Sequence, residues 1–432
     1  MNNTTAVVET AQLKVLRVVG RRRVLAGAAG LLACPSIVRA QSQNGVALVI
    51  GNSKYKWEAS LPNVKRDVQD VAKRLQTLGL KVELMQDIGR EAMFTAVRKF
   101  GQVSRGANLS AFYFAGHGAS WENDTYLVPE DADLSNPGAV KSLLPVSSIV
   151  GATGDARHRL LVFDNCRNNP ADGWRQVAAA RSSYVNEDVS RVGSSMAPET
   201  LVLYSTAPGA VALDGPADEN SPFAAAFLRQ IDGNSIDLKT LPEKLRRDLL
   251  LATECRQMVW DQNTFTAPFQ LGGSGKSAAG REPGRDPSTI LELPNAYAFA
   301  ARNNLPLPLG LVAFRTASDP SAERMVGSYR WEWVQANNQG SVPSPALFIV
   351  LSVVGNSTAV VSANKDIGGT LGARWRFSTL GVRTDRGFSG ISADGNLKFD
   401  FAWRDRDSGT QTTSPAAHMN FRPRSTPFMR LD

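Results

Sequence analysis

Apolar residues in the first two-thirds of the chain fall into two alternating patterns. Val46-Ala47-Leu48-Val49-Ile50 is an unbroken run that stops at Gly51-Asn52, as a strand buried on both faces of a parallel sheet does. Behind Asn63, Val64, Val68, Val71, Leu75 and Leu78 recur near helical spacing, which predicts a helix capped by Asn63 and ended by Gly79. Strands are expected at Lys81 to Met85, Ser110 to Ala115, Leu160 to Asp164 and Leu201 to Ser205. Helices are expected at Arg90 to Phe100, Phe223 to Ile231 and Leu241 to Ala252. Strand–helix alternation of this kind predicts an α/β sheet, mostly parallel, with helices on both faces.

The pattern changes after residue 271. Residues 272–289 are rich in Gly, Ser, Pro and charge and read as a linker. They contain Gly275-Lys276-Ser277, but a phosphate-binding loop needs a glycine where Gln270 stands. Beyond them, Arg330 to Val334, Ala346 to Val354, Thr358 to Ser362, Ala373 to Phe377 and Leu397 to Trp403 read as strands between Gly/Asn/Asp turns. Arg374-Trp375-Arg376-Phe377 and Lys398-Phe399-Asp400-Phe401 alternate strictly, so one face is buried and one wet. Residues 290–432 are therefore expected to form an antiparallel β domain, a sandwich or barrel, with no catalytic constellation. Its aromatics Tyr329, Trp331, Trp333, Trp375 and Trp403 suit a β core, or a surface for an unknown ligand.

A chain of 432 residues accommodates two or three domains, and 43% hydrophobic residues suffice for full cores. The formal charge of +8 does not indicate nucleic acid. Residues 1–40 hold six basic side chains against Glu9, which leaves only +3 on everything else. That first stretch sets Arg21-Arg22-Arg23 before a short Ala/Gly/Leu run and ends in Val38-Arg39-Ala40. It resembles a twin-arginine export signal of bacteria, cleaved after Ala40, and implies a periplasmic or secreted protein. The apolar run is too short for a transmembrane span. Cleavage there leaves two cysteines, Cys166 and Cys255, the latter expected to be a buried free thiol.

Two of the predicted strands stop at reactive side chains. "FYFAGHGA" leads to His117 and "LVFDNC" to Cys166. Residues at the carboxyl ends of parallel strands share one edge of the sheet, where ligands bind. A thiol needs a base to become a nucleophile, and an imidazole can be that base. His158 would lie about 26 Å from Cys166 along one strand, and His418 belongs to the C-terminal part, which leaves His117. Gly118 permits a tight turn, and its N–H together with that of Cys166 can serve as an oxyanion hole.

The spacing of 49 residues between His117 and Cys166 is close to that of caspase-type peptidases. With "VALVIGNSKY", "LPNVKRDVQDVAKRLQTLGLKVE", "LVLYSTAPGAVALDG" and "LRRDLLLATECRQMVWDQNTF", residues 44–271 resemble the caspase/metacaspase clan, in particular its bacterial caspase-like peptidases. The resemblance implies a six-stranded, mostly parallel sheet, with His117 as base, Cys166 as nucleophile, and the Gly118 and Cys166 amides binding the oxyanion. The chain departs from animal caspases in reading Asp164-Asn165-Cys166-Arg167-Asn168, with Asp164 in place of a glutamine, and in placing Asp214 where an arginine is expected. With Asp67, these carboxylates would form a substrate-binding pocket for Arg or Lys. Asp67 would also favour the N-terminus of its helix, Asp164 would also suit a strand-end turn, and the placing of Asp214 rests on a loose alignment after Gly209.

The expected activity is therefore hydrolysis of a polypeptide through a Cys-His dyad and an acyl-enzyme, after Arg or Lys. Self-cleavage after Arg181 or Arg191 fits the same specificity, and an uncut loop fits the sequence equally well. No metal ligand set or cofactor is required. Metacaspases often need calcium, and the acidic run Glu130-Asp131-Ala132-Asp133 lacks the ligand periodicity of a calcium loop. Two other readings remain open: an inactive caspase-like scaffold, and an envelope-binding protein acting through its β domain.

Overall fold

The computed structural model describes residues 44–121, 124–135, 137–166, 197–207, 210, 212–233, 236–272, 289–315, 324–337, 340–354, 357–365, 373–380, 382–384, 386–391, 397–415 and 424–432. The expected export segment, most of the linker, His418 and the arginines at 181 and 191 lie outside the described residues.

The main sheet has six strands: β1 (Gly45–Gly51), β2 (Lys81–Gln86), β3 (Leu109–Ala115), β4 (His158–Asp164), β5 (Thr200–Tyr204) and β6 (Trp260–Asn263). Their order is β6-β5-β4-β3-β1-β2, parallel throughout except for β6, which runs antiparallel to β5. Side chains alternate between faces, as the pleat requires. Ala47, Val49, Ala111, Tyr113, Leu160, Val162, Leu201 and Leu203 pack against α1 (Val64–Thr77), α4 (Pro222–Gln230) and α5 (Leu241–Ala252). Leu48, Ile50, Phe112, Phe114, Leu161, Phe163, Val202 and Tyr204 face α2 (Arg90–Ser104) and α3 (Val146–Ala152). The continuous apolar runs arise because both faces are covered.

Asn63 does not cap α1 with its side chain. Its Nδ2 donates instead to the carbonyls of Asp214 (2.6 Å) and Pro216 (3.0 Å), 151 and 153 residues away. A long-range need has displaced the local one. Gly79 ends α1 as expected, at φ +89°. The helix α3 has no counterpart in the sequence reading, being only two turns long. A further helix, α6 (Pro294–Asn303), was also unanticipated, although Pro294 at its start and left-handed Asn304 at its end are ordinary boundary signals.

The C-terminal sheet has nine antiparallel strands: β7 (Gly327–Asn337), β8 (Gly340–Val354), β9 (Ser357–Lys365), β10 (Ala373–Leu380), β11 (Val382–Thr384), β12 (Gly387–Ile391), β13 (Leu397–Trp403), β14 (Ser408–Pro415) and β15 (Arg424–Arg430). Their order is β10-β9-β8-β7-β15-β14-β13-β12-β11, and β9 and β10 approach β11 and β12, so the sheet nearly closes on itself. Its interior is aromatic. Tyr329, Phe348, Phe388, Phe401, Trp403 and Phe428 are buried against one another, with centroid separations down to 4.8 Å. Tyr329 and Trp403 are thus core residues, and Trp331 packs beside them. The apolar cluster of this sheet is continuous with Ala207, Leu250, Leu251, Cys255 and Met258 of the α/β part. Residues 40–432 accordingly form one compact unit.

Phe348 stacks on Tyr329, lies tilted against Phe401 and meets Phe428 edge-on at the centre of that interior. Phe348→Ala is expected to cost about 3–5 kcal/mol. The midpoint of guanidinium unfolding, followed by tryptophan fluorescence, should fall accordingly.

Candidate active site

The register of β3 on β4 ends with Ala115 opposite Asp164. Counting two residues on from each gives His117 and Cys166. The pairing continues one step further, since Gly116 N–H donates to the Asp164 carbonyl (3.2 Å). Gly116 has φ +154°, and a Cβ there would lie 2.6 Å from the Tyr55 hydroxyl. Glycine is needed on both counts. Gly118 is needed for a different reason. A Cβ on it would meet Asn165 Nδ2 at 2.0 Å and the Cys166 carbonyl at 2.7 Å, so the histidine turn and the cysteine turn are packed backbone against backbone.

Several contacts hold the imidazole. The His117 N–H donates to Tyr55 Oη (2.8 Å), the two rings lie 4.6 Å apart, and the His117 carbonyl accepts from Val128 N–H (3.1 Å). Nε2 is 2.7 Å from the Ala59 carbonyl. A carbonyl only accepts, so Nε2 carries the proton and the neutral ring keeps its lone pair on Nδ1. The bond from Val128 to His117 also marks Gly118 and Leu127 as a non-hydrogen-bonded pair of their small ribbon. That turns the Gly118 N–H away from its partner strand in the ribbon.

Cys166 is half-buried and free, with Sγ 3.9 Å from the Ala212 carbonyl. Burial raises its pKa, and the charges of Asp214 and Asp164 raise it further, against the lowering effect of that carbonyl contact. The thiol therefore rests protonated and depends on a base. Cys255 is the other free cysteine among the described residues and is fully buried.

The three candidate carboxylates are held differently. Asp164 ends β4 and Asp67 sits in the first turn of α1, and both are buried. Ser221 joins them, its N–H donating to Asp67 Oδ1 (3.0 Å) and its hydroxyl to Asp164 Oδ2 (2.9 Å). Asn220 bridges Asp67 to Asp70, and the Tyr113 hydroxyl also donates to Asp164. Burial pushes Asp67 up to about 6, and burial with repulsion from Asp67 pushes Asp164 up to about 7. Asp214 is exposed, and its backbone is what is tied down, through Asn63. Its charge reaches the thiol along with that of Asp164.

Other acids of the sequence reading have structural partners. Asp131 accepts from Arg90 N–H at the start of α2, Asp133 accepts from Ser135 N–H, and Glu130 faces Lys56. Among the described residues no group of three or more His, Cys, Asp and Glu is placed to hold a metal ion. His158 begins β4, at the opposite end from Asp164, where it stacks on Phe265 and lies tilted against Phe269. The roles of Ala59, Tyr55 and Ser221 were not apparent in the sequence. A backbone carbonyl leaves no motif, but Ser221-Pro222 is a helix-start signal, and Ser221 does cap α4 through Ala224 N–H.

The sequence profile of the caspase domain matches residues 44–270, more than half of the chain. The chain belongs to the caspase-domain family. Members of that family are cysteine peptidases, although inactive members exist. The caspase domain here is similar to mucosa-associated lymphoid tissue lymphoma translocation protein 1 of Homo sapiens, with 30% identity over 128 residues, 29% of this chain and 15% of that protein. The homolog from Mus musculus is 32% identical over 131 residues, with the same shares. The match thus spans about a seventh of the length of these relatives. Among solved structures, caspase-1 from Spodoptera frugiperda aligns with a TM-score of 0.41 and 15% identity, covering 54% of this chain and 92% of that one. No described helix is long and apolar enough to cross a membrane.

The acidic pair has a measurable cost. A carboxyl whose pKa is higher folded than unfolded keeps its proton longer in the native state. Stability therefore falls as pH rises from about 4, the unfolded value, to about 7, and stays reduced above. Asp164→Asn should reduce that slope, leaving the part due to the burial of Asp67. The variant is expected to melt several degrees above the parent at pH 7.5 and to show no gain at pH 4, measured by calorimetry.

Proposed function

We propose that the protein is a cysteine endopeptidase that cleaves after arginine or lysine, exported to the periplasm or beyond by the segment preceding Gln41. The observation that carries this reading is the shared register of β3 and β4, which sets His117 and Cys166 at equal distances past adjacent strand ends. His117 Nδ1 takes the thiol proton as Sγ bonds to the scissile carbonyl carbon. The carbonyl oxygen gains negative charge, and in this reading the Gly118 and Cys166 N–H groups stabilise it. The proton on Nδ1 passes to the leaving nitrogen as the C–N bond breaks, which leaves a thioester. Water, deprotonated by the same nitrogen, hydrolyses it. The Ala59 carbonyl holds the tautomer throughout and stabilises the imidazolium between steps.

Asp67, Asp164 and Asp214 support a cationic side chain before the cleaved bond. Two of them are held in a buried place where burial raises both pKa values and the charge of Asp67 raises that of Asp164 further, an arrangement that an incoming guanidinium would relieve. The other caspase-type specificity, for aspartate, would add a further negative charge to this group.

The purified protein and its Cys166→Ala variant should be assayed on matched peptides with Arg, Lys or Asp before a fluorophore, with and without calcium. Cleavage after Arg or Lys is expected to exceed that after Asp by about 100-fold or more. It should fall by on the order of 10⁴-fold in Cys166→Ala. Release after Asp alone would refute the cationic pocket, and release that survives Cys166→Ala would refute the dyad.

The acidic pair also sets a pH profile. Ionised carboxylates bind the cation, so KM for an Arg peptide should fall as pH rises from about 5 through 7, in step with the raised values at Asp67 and Asp164. In Asp164→Asn that limb should shrink, and initial-rate kinetics from pH 5 to 8.5 would show it.

A further inference from the structure

Gln257 is fully buried, and both ends of its amide serve one segment of chain. Nε2 donates to the Ser205 carbonyl (2.9 Å), and Oε1 accepts from the Leu213 N–H (3.1 Å). Ser205 follows β5, and its hydroxyl donates to the Asn165 carbonyl (3.4 Å), next to the nucleophile. Leu213 stands between Ala212, whose carbonyl touches Cys166 Sγ, and Asp214. One side chain thus ties two points that flank the thiol.

The hold on Gln257 comes from elsewhere. Its N–H donates to Thr253 Oγ1 (3.1 Å), in the turn that follows α5. Glu254 and Cys255 in that turn both adopt left-handed backbone, at φ 52° and 60°. Two successive non-glycine residues keep that shape only where their surroundings impose it. Here α5 supplies part of the hold, the Cys255 N–H donating to the Leu250 carbonyl (2.8 Å), and the C-terminal part of the chain supplies the rest. Ser352 in β8 donates its hydroxyl to the Glu254 carbonyl (2.8 Å), and Cys255 Sγ reaches the Val312 carbonyl (3.6 Å). Cys255 and Met258 are packed into the apolar cluster that contains Val312, Leu347, Ile349 and Leu351.

We infer that the C-terminal β domain is a working part of the peptidase: through the turn at residues 253–258, it makes Gln257 hold Ala212 and Asp214 in place beside Cys166. Gln257 is then a positioning residue for the cation site, and the β8 face that carries Ser352 is its foundation. The inference rests on the reading of Asp214 as part of that site. An amide that merely filled the core would affect overall stability and every ligand alike. A positioning amide affects the recognition of positive charge.

The test uses the full chain with Cys166→Ala, so that peptides bind without being cut. Two fluorescein-labelled peptides are compared by anisotropy, identical except for arginine or its uncharged isostere citrulline before the cleavage point. The parent should prefer the arginine peptide by about tenfold or more. Gln257→Met, similar in size but without the amide, should lose most of that preference while binding the citrulline peptide within about twofold of the parent. Gln257→Glu keeps the shape, cannot donate to the Ser205 carbonyl, and serves if the methionine variant does not fold. Ser352→Ala should reduce the preference in the same direction by about threefold, from the other domain. A preference unchanged in the Gln257 variants would show that the segment is held without the amide, and would overturn the inference. A loss in Gln257→Met with none in Ser352→Ala would remove the β domain from it. Equal weakening of both peptides would assign Gln257 to the core alone. A parent with no preference for arginine would refute the cation site itself, which the other outcomes leave standing.

Discussion

The parallel pairing of β3 with β4 fixes where the reactive groups stand. Its last rung, Ala115 against Asp164, leaves each strand the same two residues short of its reactive side chain. A slip of one residue would carry Cys166 about 3.3 Å along the sheet and exchange the faces of every side chain on β4. The two faces are occupied by different helices, so such a slip would bring Leu161 and Phe163 against α1, and Leu160 and Val162 against α2. The core therefore polices the geometry of the site. Gly118 adds a local version of the same constraint, since no side chain fits between it and Asn165.

The carboxylates show the opposite relation between core and site. Burying Asp67 beside Asp164 destabilises the fold at neutral pH, and the surrounding structure compensates only in part, through Ser221, Asn220 and Tyr113. Ser221 concentrates that compensation, because the hydroxyl that donates to Asp164 also accepts from Ala224 N–H to begin α4. A residue with both duties leaves little freedom at its position. Arrangements that weaken a fold locally without a packing benefit are typical of places where something binds.

The sheet and its helices were legible because their periodicities are strong and their faces fully covered. The apolar approach to His117, Ala111 to Ala115, and the similar approach to Cys166 announced strand ends, and the register then joined them. Features that depend on the backbone were not legible. The Ala59 carbonyl has no side-chain signature, and Asn63 looks in sequence like a helix cap while its amide serves Asp214 and Pro216. In the C-terminal part, β14 reads Ser-Gly-Thr-Gln-Thr-Thr-Ser-Pro, with no apolar alternation, and buries Gln411 instead. Such a strand is specified by its neighbours and carries little signal of its own.

Asp164 and Asp214, proposed above to offer charge to a ligand, also act on the thiol. Together with burial they disfavour the thiolate of Cys166, so the resting sulfur is a poor target for oxidants and stray electrophiles. On the proposed specificity, a guanidinium settling among these carboxylates would cancel their share of the field that opposes ionisation. The thiol would then sharpen as a fitting side chain arrives. In that arrangement the substrate would also be the safety catch, arming the group that is about to cut it.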